Sequence, residues 1–365
     1  MLRWFDAHLD LAYLAECGRD MLAPLDRAAA PHPPASVTLD SLRAGGVGAC
    51  LGTIFTEPDG NDAVAYPAGD AAAAAKAGLK QLERYEKWAR DGHIHLSSRH
   101  PLRSEAIEGV EAGGTPAPLD RVGVLKQCPS LGILVEGADP ILSPDHLHEW
   151  VARGVVTIGL TWARASRYAG GNSTDLGLTD LGRAMIGEMD RLGIVHDASH
   201  LSDRAMDELF TLATGPIMAS HSNCRAIVAT DNQRHLRDPS IREIASRGGV
   251  IGLNLFSPFL VPGGGRERRA TIVEAIAHVE RICDLAGHRG AVGLGSDMDG
   301  GFSAAMMPDG IDTPSDLVKL AEALSARNWS DGEIRGFAHA NWERFFETRA
   351  KSPGRGLSGP ARADQ

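Results

Sequence analysis

Histidines and carboxylates follow five of the short apolar runs in this chain of 365 residues. A single such residue after an apolar run is usually a hydrogen-bonded cap, but five together would bury unpaired charge at high cost unless cations lay among them. Imidazoles and carboxylates both ligate divalent metals, and two metals that share one carboxylate would balance the set. The motifs are Asp6-Ala-His8-Leu-Asp10, Glu136-Gly-Ala, Asp197-Ala-Ser-His200, Ser220-His221-Ser and Ser296-Asp297-Met-Asp299-Gly300.

Eight apolar runs rich in Val, Ile and Leu must position these motifs. The runs are continuously hydrophobic rather than alternating, which is typical of parallel strands buried on both faces. Helix-length amphipathic stretches follow most of them, with N-cap candidates at Ser143, Thr179 and Ser202. No early Gly-x-Gly-x-x-Gly turn marks a dinucleotide site, so the pattern predicts an α/β fold, a closed (β/α)8 TIM barrel. The predicted strands are 2–8, 47–55, 132–137, 155–162, 194–199, 216–222, 250–256 and 291–297.

The barrel architecture accounts for the position of the motifs along the chain. Catalytic groups of a TIM barrel lie at the C-terminal ends of the strands and in the loops that follow them. Residues 1–350 are predicted to form one metallohydrolase domain, with residues 18–36 and 99–128 as loop insertions over the C-terminal mouth. Residues 351–365 are polar, contain Gly and Pro, and predict a disordered tail.

The composition argues against several classes of protein. There are 37 Lys and Arg against 47 Asp and Glu, and the net charge of −10 disfavours nucleic acid or an anionic membrane as a partner. No apolar window approaches the length of a membrane span, and the first residues do not have the pattern of a signal peptide. The 5 cysteines include no Cys-x-x-Cys pair, which predicts free thiols and a cytoplasmic location.

The motifs, in their order along residues 2–348, resemble the membrane (renal-type) dipeptidase family of zinc metallopeptidases within the amidohydrolase superfamily. Arg234 within Asn-Gln-Arg-His-Leu and the stretch Gly248-Gly-Val-Ile-Gly add to the match. The resemblance implies a dipeptidase whose substrate is a small peptide with a free C-terminal carboxylate. It also implies two zinc ions (Zn²⁺) per chain with a nucleophilic hydroxide between them, and it allows a homodimer.

The resemblance further implies which residues hold the metals. His8 and Asp10 would hold one zinc ion, His200 and His221 the other, and Glu136 would bridge the two. Imidazole and carboxylate are suitable zinc ligands. Bound zinc lowers the pKa of water from about 15.7 towards about 7, so a hydroxide persists at neutral pH.

Two substrate-facing roles follow from the resemblance, and each has a rival residue. Asp297 is expected to carry the proton from the water to the departing amine. Asp299 is its rival, but the following Gly300-Gly301 indicates that the chain is already turning there. Arg234 is expected to bind the terminal carboxylate with its planar fork of donors, and Arg237 is the alternative.

One position departs from the family pattern. Family members end the fourth strand in Thr-His and use that histidine to contact the substrate carbonyl oxygen, whereas this chain has Thr161-Trp162. The indole of Trp162 has one N–H donor and cannot become cationic, so it would act as a single donor or as an apolar wall. Oxyanion stabilisation would then fall mainly to zinc, with Arg164 or Arg167 as possible contributors.

This departure keeps other functions open. The metals would also serve an amidohydrolase that acts on N-acyl amino acids or on related amides and esters. A barrel that has lost catalysis and binds a partner is a third reading, which the intact ligand set disfavours. Two residues close to the motifs, His196 and Cys224, are interpreted as packing residues, although His196 could also support a metal ligand and Cys224 could approach the metals.

Overall fold

Eight parallel strands form a nearly closed barrel. The protein is described by a computed structural model that covers residues 2–28, 30–97, 128–262 and 267–350. Neighbouring strands pair in parallel, and a parallel bridge between Ala219 and Ile251 connects the last two neighbours. The strands are β1 (Trp4–Leu9), β2 (Val47–Phe55), β3 (Ser130–Glu136), β4 (Val155–Gly159), β5 (Val195–Asp197), β6 (Ile217–Met218), β7 (Ile251–Leu253) and β8 (Val292–Leu294).

Helices connect these strands and pack around them. Their ends have the expected chemistry: at the start of α5, the Thr179 hydroxyl accepts the N–H of Gly182, and Gly193 ends the helix in the left-handed region at φ 72°. The helices are α1 (Leu11–Glu16), α2 (Leu39–Ala44), α3 (Ala71–Arg90), α4 (Leu147–Ala152), α5 (Asp180–Leu192), α6 (Asp203–Leu212), α7 (Arg225–Val228), α8 (Asp238–Ser246), α9 (Ile272–Ala286), α10 (Val318–Ser325), α11 (Asp331–Arg335) and α12 (Asn341–Ala350).

The predicted fold class is confirmed, because each of the eight predicted runs overlaps one barrel strand in the same order, although β1 ends one residue after its run and β3 begins two residues before its run. Several predicted runs are longer than the strand, since their last residues already belong to the loops at the barrel mouth. Ser202 caps α6 as predicted, whereas Ser143 precedes a short 3-10 turn (Pro144–His146) rather than α4 itself. Within residues 18–36, the described residues 18–28 and 30–36 lie outside helices and strands except for one 3-10 turn (Leu25–Arg27).

Other predictions are not tested by the described residues. Residues 99–127 of the predicted insertion 99–128 and the tail 351–365 lie outside them, and the boundary of the single domain stays a prediction. None of the helices in the described part of the chain has the length and apolar character needed to cross a membrane. The cytoplasmic location and the homodimer also stay predictions.

The N-terminal end of the barrel interior is apolar. Helix α12 contributes Trp342 and Phe346 to it, and both stack on Phe5 with centroid distances of 6.0 and 5.8 Å. The indole N–H of Trp342 donates to the carbonyl oxygen of Leu294 at 2.9 Å, so its one polar atom is satisfied. The inner cluster consists of Phe5, Ala7, Ala49, Leu51, Leu134, Val195, Met218, Val250, Trp342, Phe345 and Phe346.

A β-bulge in β1 changes which residues face the interior. Asp6 is opposite Cys50 and Leu9 is opposite Gly52, so β1 advances three residues where β2 advances two. Phe5 and Ala7 belong to the inner cluster, whereas Leu9, at the end of the bulge, packs in the outer layer. The extra residue thereby turns the side chains that flank Leu9 towards the barrel axis.

Candidate metal centre and active site

A cavity of about 420 Å³ opens at the C-terminal ends of the strands. It contains most of the polar residues that the sequence motifs predicted, and His8 is buried beside them at 1% exposure. Aromatic side chains form much of the remaining wall. The site residues that line the cavity are Asp10, Glu136, Trp162, His200, His221, Arg234 and Asp297, together with Tyr13, Phe55, Phe256, Phe259 and Phe302.

Glu136, the last residue of β3, lies at the centre of the site. Its Oε2 is 3.6 Å from His8 Nε2. Its Oε1 is 3.1 Å from His200 Nε2 and 3.4 Å from His221 Nε2. One carboxylate therefore presents a different oxygen to each of two ligand groups, which is the arrangement needed to bridge two cations.

His200 and His221 face each other through the nitrogens that would bind a metal, with the two Nε2 atoms 2.9 Å apart. His200 Nδ1 is 3.1 Å from Asn172 Oδ1, an acceptor, so it carries the proton of that ring. The Ser220 hydroxyl donates to Asp197 and lies 2.7 Å from His221 Nδ1, so it accepts from that nitrogen. Both Nε2 atoms therefore hold lone pairs that repel each other unless a cation binds them.

Burial lowers the pKa of both imidazoles well below its ordinary value, and the positive charges of Arg234 and His8 act in the same direction. Both rings are consequently neutral, which is the form that ligates a metal. The buried donors on this side of Glu136 thus fit a divalent cation.

The other side of Glu136 contains His8 and Asp10. His8 Nε2 lies 3.8 Å from Asp10 Oδ1, and the Thr53 hydroxyl donates a hydrogen bond to the same carboxylate oxygen. Burial alone would lower the pKa of His8, but the nearby Glu136, Asp10 and Asp297 raise it to about 10. In the absence of metal, a proton on His8 balances these carboxylates, and a cation bound at His8 and Asp10 would replace it.

Asp297 and Asp299 have different surroundings although they are two residues apart. Asp297 Oδ2 accepts from the amide of Asn254 at 2.8 Å, and Oδ1 lies 4.0 Å from His8 Nε2, inside the site. Burial raises the pKa of Asp297 to about 7. Asp299 does not line the cavity and is hydrogen-bonded to Arg19 and to the backbone N–H of Ser36 and of Val37. The chain turns as expected before Gly300-Gly301, since the N–H of Gly300 donates to the Asp297 carbonyl oxygen at 3.0 Å. The carboxylates of Asp297 and Asp299 therefore have different partners.

The two candidate arginines also differ. Arg234 is 4% exposed and lines the cavity, where it donates to the His221 carbonyl oxygen at 2.7 Å and to Ser222 Oγ at 3.1 Å. Its Nε has no partner among the described residues. Arg237 instead pairs with Asp207 at 2.5 Å and does not line the cavity. The arrangement therefore leaves Arg234, not Arg237, available to an anion in the site.

Trp162 forms a wall of the cavity together with Phe55. Their rings contact edge to face with a centroid distance of 5.1 Å, and Trp162 lies 6.1 Å from the ring of His200. The expected contribution from nearby arginines is wrong for Arg167, whose guanidinium binds the carbonyl oxygens of residues 139, 141 and 142. Arg164 is exposed and does not line the cavity.

The structure separates the remaining candidates from the metal ligands. His196 binds Asp190 at 2.7 Å, and the backbone N–H of Cys224 donates to His278 at 3.0 Å, so both have packing partners outside the cluster. Sequence reasoning gave no orienting role to the residues that hydrogen-bond to the candidate ligands and to Asp297, namely Thr53, Asn172, Ser220 and Asn254. Only Ser220 lies next to a predicted ligand, and single Asn or Thr residues in loops give no pattern to detect.

A barrel with this set of buried imidazoles and carboxylates at its C-terminal mouth is typical of metal-dependent hydrolases. The membrane dipeptidase family (peptidase family M19) matches residues 124–353, which is more than half of the chain. The chain belongs to this family of metallo-dipeptidases. The resemblance seen in the sequence motifs is therefore confirmed.

Individual relatives agree with this assignment. An uncharacterized protein in the pqqA 5′ region of Klebsiella pneumoniae is 30% identical over 209 residues, which are 55% of this chain and 74% of that protein. An uncharacterized dipeptidase of Schizosaccharomyces pombe is 34% identical over 211 residues, which are 55% of this chain but only 48% of that protein. The chain thus spans about half the length of the yeast relative.

The fold is shared with a solved metallopeptidase. The structure from Rhodobacter sphaeroides, liganded with a phosphinate mimic of the dipeptide L-Ala-D-Ala, superimposes with a TM-score of 0.77. The match has 24% sequence identity and covers 95% of this chain and 99% of that chain. At this identity the similarity concerns the barrel fold.

Proposed function

We propose that the protein hydrolyses dipeptides with a free C-terminal carboxylate at a centre of two zinc ions. The observation that carries the proposal is the position of Glu136, whose two oxygens face separate imidazole groups at 3.6 and 3.1 Å. In this proposal His8 and Asp10 hold one ion, His200 and His221 hold the other, and Glu136 is shared. The ions would lower the pKa of bound water towards about 7 and so supply a nucleophile at neutral pH.

Asp297 is the proposed proton carrier. Asn254 fixes one of its oxygens at 2.8 Å, which leaves the other directed towards the metal ligands. A carboxylate in this position can accept a proton beside the ligands and return it to the amine of the departing residue. Fixing one oxygen also restricts the rotation of the carboxylate, which favours catalysis through orientation.

The charges at the cavity wall support a substrate with both termini free. Arg234 offers a buried guanidinium with an unpartnered Nε, which suits the C-terminal carboxylate. Glu57 and Asp62 also line the cavity, and burial together with Asp62 raises the pKa of Glu57. An ammonium group would relieve this repulsion, so the wall favours a free amino terminus over an acylated one.

One observation favours a second candidate, an amidohydrolase that acts on N-acyl amino acids. The edge-to-face pair of Phe55 and Trp162 provides an apolar wall that would accept an acyl chain. The two candidates use the same metals and the same arginine. They differ in whether the group beyond the scissile bond is an ammonium or an alkyl chain.

Metal analysis and a substrate panel test the proposal. Protein purified with zinc supplied should contain two zinc ions per chain by elemental analysis, and fewer than two would contradict the two-zinc centre. The zinc-loaded enzyme should hydrolyse L,L or L,D dipeptides, with the corresponding dipeptide amides as controls that lack the carboxylate. Turnover of N-acetyl amino acids without turnover of any dipeptide would reject the dipeptidase proposal in favour of the second candidate.

A further inference from the structure

Asp299 binds a loop that lies far from it in the sequence. Its Oδ2 accepts from the Arg19 guanidinium, from the N–H of Ser36 at 2.7 Å and from the N–H of Val37 at 2.7 Å. The side chains of Arg19 and Asp299 are both 0% exposed. Arg19 additionally donates to the Ala30 carbonyl oxygen at 2.6 Å, so this ion pair fastens the loop of residues 18–37 to the turn that follows β8.

That turn has a conformation that needs support. Asp297 and Asp299 have φ values of 60° and 64°, in the left-handed region that is sparsely populated by residues with a Cβ atom. A Cβ placed at Gly300 would lie 1.9 Å from Asp297 Oδ1, which shows how closely the turn packs against that carboxylate. Any displacement of the turn must therefore move Asp297.

The supported turn also forms part of the cavity wall. Gly300, Gly301 and Phe302 line the cavity, and the N–H of Ala304 donates to the carbonyl oxygen of Pro34 at 3.0 Å. The loop that contains Arg19, Pro34 and Ser36 thus contacts the 297–304 segment through Asp299 and through Ala304. Of the two, only the contact through Asp299 is a buried ion pair.

We infer that Arg19 and Asp299 are positioning residues that hold the turn so that Asp297 is aimed at the metal ligands. This inference rests on the proposed function, because it assumes that Asp297 carries the proton. Neither Arg19 nor Asp299 is among the residues that line the cavity. Their ion pair acts through the backbone of residues 297–301, and its loss should reduce the rate of the chemical step rather than substrate binding.

A double-mutant cycle between Asp299→Asn and Asp297→Asn tests the inference. Asp299→Asn should lower kcat roughly 10- to 100-fold, since small misplacements of a catalytic group have effects of this size. KM should change less than about threefold, and the zinc content should stay the same. In the Asp297→Asn background the same substitution should reduce kcat by less than about twofold, because there is no proton carrier left to misplace.

Two outcomes would overturn the inference. One is an unchanged kcat in Asp299→Asn, and the other is a loss that is fully additive with that of Asp297→Asn, as a purely structural effect would be. If Asp297→Asn itself keeps full turnover, the proposed role of Asp297 fails instead. The failure of the inference and the failure of the proposed function are therefore distinguishable.

Arg19→Lys replaces Asp299→Asn in the double-mutant cycle if Asp299→Asn does not fold. Lysine preserves the buried positive charge but lacks the fork of donors that reaches Asp299 and Ala30 together. Its kcat should fall less than that of Asp299→Asn, with the same lack of additivity towards Asp297→Asn. The matched control is Arg153→Lys, which alters an ion pair with Glu86 (2.7 Å) on the outer helices and should leave kcat unchanged.

Hydrogen exchange supplies a readout that does not depend on turnover. The N–H groups of Ser36 and Val37 donate to Asp299, so both should exchange faster in Arg19→Lys and Asp299→Asn than in the parent protein. The Arg153→Lys control should leave their exchange unchanged. Unaltered exchange of both amides in the Asp299 variant would show that the carboxylate does not hold the loop, which also overturns the inference.

Discussion

The two ends of the barrel interior are built from the same strands but have opposite chemistry. Towards the N-terminal end, β1 and β3 contribute Phe5 and Leu134 to an apolar cluster that Trp342 completes. Towards the C-terminal end, the same strands contribute His8 and Glu136, which are equally buried and are surrounded by other ionisable groups. Side chains are therefore buried at both ends, but only the ionisable groups of the polar end need a counter-charge or a bound cation.

The apolar end of the barrel interior stabilises the fold, whereas the polar end forms the candidate metal centre. At the apolar end the one polar atom of Trp342 has a partner, and the aromatic rings fill the interior. At the polar end two imidazole lone pairs face each other at 2.9 Å, and burial raises the pKa of Glu136 to about 8, with His8 opposing the effect of burial. A buried polar set that lacks its cation destabilises a fold, whereas a filled apolar cluster stabilises it.

The largest effect is expected from Glu136→Gln at the polar end. The amide keeps the shape of the side chain but removes the charge shared by both proposed ions, so fewer than two zinc ions should bind. A metal ion contributes several kcal/mol to catalysis, so turnover should fall roughly 10³-fold or more. Elemental analysis and steady-state kinetics would measure both quantities.

The same variant should not weaken the metal-free fold. A carboxylate whose pKa is raised from 4.5 to about 8 destabilises the folded state increasingly as the pH rises through that interval, and an amide removes this dependence. Urea unfolding in the presence of a chelator at pH 8 should give equal or greater stability for Glu136→Gln. A large loss of stability would contradict the contrast between the two ends, and Glu86→Gln on the outer helices serves as the control.

Trp342→Ala tests the apolar end. Removal of a fully buried aromatic side chain leaves a cavity, so the free energy of unfolding should fall by about 3–5 kcal/mol. Zinc content and kcat of the folded fraction should remain those of the parent, because the substitution lies outside the metal cluster. Urea unfolding and elemental analysis measure this, with Thr348→Ala on the exposed face of α12 as the control. Loss of zinc with little change in the free energy of unfolding would contradict the conclusion that the apolar end stabilises the fold without affecting metal binding.

The strands, and the placement of the candidate ligands at the barrel mouth, could be predicted from the sequence because both depend on local patterns. Continuous apolar runs identify buried parallel strands, and polar residues after such runs must lie at the barrel mouth. Glu136, for instance, follows Leu134 by two residues and faces the same way in an undistorted strand. The inward direction of the Glu136 side chain follows from this alternation.

The direction of His8 and Asp10 could not be derived in the same way. Strict alternation from Phe5 and Ala7 would turn both side chains towards the helices. The bulge in β1 turns both side chains towards the barrel axis instead. The bulge arises from the pairing of β1 with β2, and no pattern within the sequence of β1 predicts it. Tertiary pairing likewise produces the contact between Arg19 and Asp299, which are 280 residues apart.

A moderate effect is expected from Asn172→Ala, which removes the acceptor for the Nδ1 proton of His200. Without it the imidazole is less well oriented and less basic, so the zinc affinity should fall roughly 10- to 100-fold. Chelator competition would measure this change. Ser173→Ala, in the same loop, removes a hydroxyl that donates to the Ala163 carbonyl oxygen and should leave the affinity unchanged. A change of less than twofold in Asn172→Ala would indicate that packing alone orients His200.

The smallest effect is expected from Trp162→His, which alters the wall of the polar end without touching its ligands. An imidazole at this position can donate a hydrogen bond and can carry a positive charge, whereas the indole has one N–H and stays neutral. Placed beside the ligands, it should stabilise a developing oxyanion and raise kcat/KM for dipeptides a few fold, roughly three- to tenfold. Trp162→Phe is the control, because it keeps an apolar aromatic ring beside Phe55 and has no N–H donor. A loss of activity in Trp162→His with no loss in Trp162→Phe would mean that the apolar wall, and not an absent donor, sets the substrate preference.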